Sequence, residues 1–166
     1  FLPMVARMNI RIKGAGVMGL VIATELTQRG HKVEIIDPAE NLGPHACSWW
    51  AGGMLAPFCE AESTEEAVER YGIRDVDWWD QRSGSVVRNG TLVLALARDK
   101  SEMTRFSRRS RGGQPVNGQE ISALEPQLSE RFDHGLFYAD EAHLAPRQAL
   151  RRLREKLVAK GVSFYT

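Results

Sequence analysis

Three glycines in "IRIKGAGVMGL", Gly14, Gly16 and Gly19, stand between an alternating apolar run and the start of a helical one. In the G-x-G-x-x-G spacing each has a separate role. The first allows a tight turn, the second lets backbone approach a pyrophosphate, and the third lets a helix pack closely on a strand. The N–H groups of Val17 and Met18 then open the helix, where unpaired donors and aligned peptide dipoles favour an anion. Asp37 closes the next apolar run about 20 residues further on. A carboxylate there accepts hydrogen bonds from both hydroxyls of an adenosine ribose and repels a 2′-phosphate. These residues point to a dinucleotide, and by themselves they do not decide between a nicotinamide and a flavin.

The flanking pattern supplies the elements such a turn needs. Ile10 and Ile12 alternate with Arg11 and Lys13 as in a strand, and Leu20, Ala23 and Leu26 recur at helical spacing between Val17 and Arg29, with Gly30 at the C-terminal cap. "KVEIID", Lys32 to Asp37, reads as a second buried strand closed by Pro38. Strand, helix and strand in this order make a βαβ unit with parallel strands and a right-handed crossover. The segment that follows, "AENLGPHACSWWAGGMLAPFCEAES", is too irregular for one element and too apolar to be disordered. Loops of that length in compact domains are usually functional.

Helical patterns return from Glu65 to Tyr71 and at "DWWDQR", and "SVVRNGTLVLALA" places Asn89 and Gly90 between two β-rich runs, which predicts a hairpin opening a second sheet. Lys100 to Arg109 reads as a helix, "NGQEISALEP" as a short one and "GLFYAD" as a strand. Pro146 opens the last helix from its first turn, with Leu150, Leu153, Leu157 and Val158 as the apolar face, and after Gly161 "VSFYT" begins another strand.

Composition narrows the classes. The 166 residues are 43% hydrophobic and 26% charged with a net charge of +1, a balance for one real core and for no global field that would recruit nucleic acid or an anionic membrane. "LVLALA", Leu92 to Ala97, is far short of the roughly 20 apolar residues that span a bilayer. Phe1 is not an initiator methionine and "FLPMVARMN" lacks the features of a secretory signal, so the first residues read as an upstream extension with Met8 as the start. Cys47 and Cys59 form neither a disulfide framework nor a metal quartet, and a reducing cytoplasm is the default expectation.

"CSWWAGGMLAP", Cys47 to Pro57, together with "GAGVMGL", "RNGTLVLA" and "DEAHLAPRQAL", resembles the D-amino-acid oxidase superfamily of FAD enzymes, and within it the glycine oxidase branch of thiamine biosynthesis. The likeness runs from about Met8 to the last residue. It implies an α/β fold in which a Rossmann-like FAD-binding layer, residues 8–83 and 143–166, is interrupted by part of a mixed-sheet substrate domain, residues 84–142, the whole being incomplete relative to the family. It further implies hydride transfer from the Cα of a small amino acid to flavin N5, an imine that hydrolyses, and reoxidation by dioxygen to hydrogen peroxide.

Carried over by matching positions, Gly14, Gly16 and Gly19 form the cofactor-binding turn, Val17 and Met18 contact the pyrophosphate, and Asp37 and Pro38 lie at the adenosine ribose. Cys47 and Ser48 fall near the ribityl and pyrophosphate, and Gly52, Gly53 and Met54 line the isoalloxazine. Lys13, Cys47 and Trp50 depart from the family's usual residue types. No catalytic acid or base is expected from this half. The resemblance assigns substrate carboxylate recognition to an Arg and a Tyr beyond Thr166, and implies a homo-oligomer for the full-length enzyme. The 166 residues alone are expected to hold FAD weakly if at all and to be inactive. The other readings are a D-amino-acid or sarcosine-type oxidase or dehydrogenase, and a non-catalytic nucleotide-binding fragment.

The remaining chemistry-bearing residues read as structural. His143 precedes a helix-opening proline, and His45 with Cys47 lacks the partners a metal needs, so no metal is expected. "RFSRRSR" reads as a solvated helix end, Trp78 and Trp79 as one core and one surface ring, and Glu60, Glu62, Glu65 and Glu66 as a solvated helix start.

Overall fold

A computed structural model describes residues 6–61 and 66–166. The upstream extension thus lies in part outside the described residues, as do Glu62 and Glu65. In chain order the elements begin with β1 (Asn9–Lys13), α1 (Val17–Gln28) and β2 (Lys32–Ile36). A 3-10 turn (Cys47–Trp50) leads to β3 (Met54–Leu55), α2 (Pro57–Glu60) and α3 (Glu66–Ser83). Then come β4 (Val86–Val87), β5 (Thr91–Leu94), α4 (Lys100–Arg109), β6 (Gln114–Asn117) and α5 (Gly118–Leu124). The chain ends with β7 (His134–Tyr138), β8 (Ala142–Leu144), α6 (Pro146–Ala159) and β9 (Ser163–Tyr165).

Two compact units share this chain. The first contains the residues up to Gly53 together with Trp79–Ser85 and Ala145–Thr166. Its sheet has the order β1-β2-β9 and is parallel throughout, with Ile10 opposite Val33 and Glu34 opposite Ser163. The βαβ unit is therefore present as the period-2 and helical patterns predicted. Val33 and Ile35 of β2, Leu20 and Ala23 of α1, and Ala149, Leu150, Leu153 and Leu157 of α6 form its core. Each buried leucine or isoleucine contributes about 1.5–3 kcal/mol relative to exposure. Val158, expected on the same face of α6, is 55% exposed, because it lies one position round the helix from Leu157.

The second unit, Met54–Trp78 with Val86–Leu144, holds two small antiparallel sheets in the orders β3-β8-β4 and β5-β7-β6. The Asn-Gly hairpin does not form. Val86 pairs with Leu144 and Val87 with His143, whereas Thr91 pairs with Tyr138 and Leu94 with Gly135. The run from Val86 to Leu94 lies along β8 and then β7, and the Gly90 N–H donates to the Glu141 carbonyl at 3.1 Å, so Asn89 and Gly90 sit in a bend between two sheets. Pairing with β7 gives the run buried neighbours, Leu136 and Tyr138, that the local reversal could not offer.

The two helical patterns after the long loop are one helix, α3. Neither Trp78 nor Trp79 is core; both are half-buried, and Val76 is the buried residue of that turn. His143 lies exposed on β8, paired with Met54 on one side and Val87 on the other. α5 starts with a capping box: Asn117 accepts from the Gln119 and Glu120 N–H groups, and Glu120 accepts from the Asn117 N–H. Among the described residues no helix is long and apolar enough to cross a membrane.

Candidate cofactor-binding turn

The chain leaves β1 at Lys13 and reverses at Gly14, which has φ +102°, a conformation that side chains rarely tolerate. The Gly14 N–H donates to the Ile36 carbonyl at 2.7 Å, which ties the turn to the end of β2. A Cβ placed on Gly19 would lie 1.9 Å from the Gly14 carbonyl oxygen, so the helix can approach the turn this closely only because position 19 has no side chain. α1 begins at Val17 with Gly16 as its cap and no side-chain cap bond. Its first-turn N–H groups therefore have no acceptor within the helix.

Ser48 comes to this point from 31 positions away. Its Oγ accepts from the Val17 N–H at 3.3 Å, and a Cβ on Gly16 would lie 3.5 Å from that oxygen. Ser48 is buried within the 3-10 turn, whereas Cys47 beside it is exposed, so the structure brings one of this pair to the start of α1.

Asp37 spans the same turn. Its Oδ2 accepts from the Ala15 N–H at 2.7 Å and its Oδ1 from the Ala39 N–H at 2.9 Å. Burial is the largest single influence on this carboxyl and opposes its charge. The two backbone N–H groups, with His45 and Arg154, outweigh it and hold Asp37 below the usual carboxylate range. Each carboxylate oxygen keeps a further lone pair for a ribose hydroxyl. Pro38 is exposed beside it.

Of the run expected at the flavin ring, Gly52 offers open space, since a Cβ there would meet nothing within 4 Å, and Gly53 takes φ +78°. Met54, the first residue of β3, is 57% exposed. His45 and Arg154 are further neighbours of Asp37 that the sequence did not single out for this site. His45 Nε2 lies 3.8 Å from Asp37 Oδ1, and Arg154 packs 3.9 Å over the Phe164 ring while donating to the Glu40 carbonyl. Local spacing could not have found Arg154, because its bond to Glu40 joins positions 114 apart.

The two thiols differ in environment. Burial pushes the Cys59 thiol far up, and the Glu141 carboxylate beside it adds to that, so Cys59 stays protonated across the physiological range. Cys47 is exposed. Brief alkylation of the folded protein with iodoacetamide at pH 8 is expected to label Cys47 and spare Cys59, read by peptide mass spectrometry. Equal labelling of both would show that Cys59 is not sequestered.

A glycine-lined turn between a parallel strand and a helix, with a bridging acid at the end of the next strand, defines a dinucleotide-binding α/β protein. The residues present fit such a group: first-turn donors with no acceptor inside the helix, Val17's being shared with the Ser48 hydroxyl, a backbone cradle that a side chain at Gly16 would narrow, and a partly free carboxylate. The chain belongs to the FAD-dependent oxidoreductase family, whose pattern matches residues 9–166, and FAD is its cofactor. It is 48% identical over 147 residues to a thiamine biosynthesis oxidoreductase, ThiO by name, of Rhizobium etli, covering 88% of this chain and 45% of that protein. A bifunctional protein ThiO/ThiG of Trichormus variabilis is 31% identical over 158 residues, covering 87% of this chain and 23% of that one.

The chain therefore spans less than half the length of these curated relatives. Among solved structures, glycine oxidase from Geobacillus kaustophilus superposes with a TM-score of 0.76 at 21% identity, over 96% of this chain and 47% of that one. Glycine oxidase from Bacillus cereus gives 0.75 at 19%, over 93% and 46%. These likenesses show that the mixed α/β fold is that of part of such an enzyme.

Proposed function

We propose that this chain is the cofactor-binding share of a glycine oxidase-like enzyme that oxidises a small amino acid, in the service of thiamine's thiazole. The cofactor contacts would come from residues 8–83 and 143–166, and part of a substrate domain from residues 84–142. The observation that carries this reading is the meeting of Gly16, Val17, Ser48 and Asp37 around one helix start, in a chain with a ThiO relative at 48% identity. Held there, FAD would supply two-electron chemistry, the oxidation of an amine to an imine with dioxygen reduced to hydrogen peroxide.

The chain's own residues do the holding. The first-turn N–H groups and the dipole of α1 neutralise pyrophosphate charge, and Ser48, whose oxygen has a second lone pair and a proton to donate, adds a hydroxyl at the same point. Asp37 fixes the ribose while bracing the turn through Ala15. Gly52 leaves backbone bare where a planar ring can lie against it.

Titrating FAD into the apo gene product, followed by flavin fluorescence, is expected to give saturable binding, with Asp37→Ala weakening it about 10- to 100-fold. Because the folded pKa of Asp37 is depressed, its bracing of the turn is present above the unfolded value near pH 4 and is lost as pH falls through the folded one. Unchanged affinity in Asp37→Ala would remove this residue from the site. Absence of flavin bands in the wild type would overturn the cofactor assignment. Peroxide release with glycine, sarcosine and D-alanine then separates the substrates.

A further inference from the structure

The 3-10 turn Cys47–Trp50 presents Ser48 to the helix start and has little of its own to hold it in place. Four residues of 3-10 helix have poor hydrogen-bond geometry, and Ala46 at its cap offers no side-chain acceptor. Only Ser48 within it is buried; Cys47 is exposed and Trp50 is 64% exposed. The Val17 to Ser48 bond, at 3.3 Å, is already at the long end of the normal range, so a small displacement breaks it.

A grip on the turn comes from α6. Arg147 Nε donates to the Trp49 carbonyl at 3.2 Å, and its guanidinium carbon lies 5.2 Å from the centre of the Trp49 ring and 5.2 Å from that of Trp50. Both distances are inside the range for attraction between a cation and an indole face. The Trp50 indole N–H in turn donates to the Pro44 carbonyl at 2.9 Å, which anchors the loop just upstream. Arg147 itself stands on a firm base: it follows Pro146 at the opening of a helix whose Ala149, Leu150 and Leu153 are buried. Among the described residues its partners are a carbonyl and two rings, with no carboxylate, which is not what a solubilising surface arginine would show.

We propose that Arg147 is a positioning residue for cofactor binding, which clamps the Cys47–Trp50 turn through both indoles and thereby keeps the Ser48 hydroxyl at the pyrophosphate end of α1. This rests on the FAD reading above. A planar guanidinium with an Nε donor is needed to hold a carbonyl and two rings at once, and lysine offers only a point charge on a flexible stem.

The test is a double-mutant cycle on FAD affinity in the gene product, with Arg147→Ala, Ser48→Ala and the two combined. Each single change is expected to weaken binding about tenfold, and the pair to be no weaker than Ser48→Ala alone, because the arginine acts through the serine. Arg147→Lys is expected to recover only part of the loss, and it replaces Arg147→Ala in the cycle if far-UV circular dichroism shows that the alanine variant has lost its fold. Independent, additive losses, or wild-type affinity in Arg147→Ala, would overturn the proposal. If the wild type takes up no FAD, the cofactor reading fails instead. The clamp is then still read in the apo protein, where Arg147→Ala is expected to speed hydrogen exchange at the Val17 amide. An unchanged exchange rate would overturn the clamp as well.

Discussion

Gly19→Ala is expected to destabilise the first unit by about 3 kcal/mol and to remove flavin binding with it. The added carbon would sit 1.9 Å from the Gly14 carbonyl oxygen and 3.0 Å from the Gly14 carbonyl carbon, both backbone atoms. No rotamer change can relieve that overlap. Gly14 is not free to retreat either, because its N–H is bonded to Ile36 and its own φ is positive. The remaining response is for α1 to move away from β1, which opens the core around Leu20 and Ala23 and carries the Val17 and Met18 N–H groups off the proposed phosphate position. Urea unfolding of the two proteins measures the first effect and FAD titration the second. Gly52→Ala provides the contrast: its added carbon meets nothing within 4 Å, so stability should hold and any change should appear only in the titration. Wild-type stability in Gly19→Ala would show that helix and turn are not packed as described.

The second large effect is expected in the other unit. Glu141 is fully buried in the link between β7 and β8, and its Oε1 accepts from the Phe58 N–H at 2.9 Å and the Cys59 N–H at 2.7 Å. One side chain thereby satisfies two donors at the start of α2 from more than 80 positions away. Its Oε2 is buried with no hydrogen-bond partner among the described residues. Glu141→Leu fills much of the same volume but strands both N–H groups, at about 1–3 kcal/mol each. Glu141→Gln retains an acceptor oxygen for them and places its amide nitrogen where no bond has to be broken. The expected outcome is a loss of about 3 kcal/mol for the leucine variant and within about 1 kcal/mol of wild type for glutamine, measured by urea unfolding. Equal stability of Glu141→Leu and wild type would remove the carboxylate from its bridging role.

The parts of this fold that the sequence made legible are those whose signal is local. Ile10 to Lys13, the glycine turn, Leu20 with Ala23, and Pro146 with Leu150, Leu153 and Leu157 each lie within a few residues of the neighbours that define their pattern. Asn89 and Gly90 misled for the same reason: the dipeptide reports the chain's readiness to reverse, while the outcome depended on β7 and β8, strands some fifty residues later. Ser48 stands out in the sequence only through its segment's resemblance to the family, and its bond to Val17 joins positions 31 apart. Arg147 could not be found at all, since its contact with Trp49 joins positions 98 apart. Glu141 carried the opposite signal, because a carboxylate in "DEAHL" reads as solvated until the two N–H groups it serves are seen.

β9 adds the third strand of the parallel sheet by lying against β2, with Glu34 opposite Ser163. During synthesis, β1, α1 and β2 emerge early, and everything from Met54 to Leu144 except Trp79–Ser85 belongs to the second unit. At ribosomal rates of about 5–20 residues per second, β2 waits on the order of ten seconds for its neighbour. Throughout that interval one edge of a strand containing Val33, Ile35 and Ile36 has unpaired N–H and C=O groups. The antiparallel sheets of the second unit, whose last strand is β8, have all their strands out of the ribosome before β9. Translation speed across that insertion thus sets how long the nascent chain is open to pairing with the wrong strand.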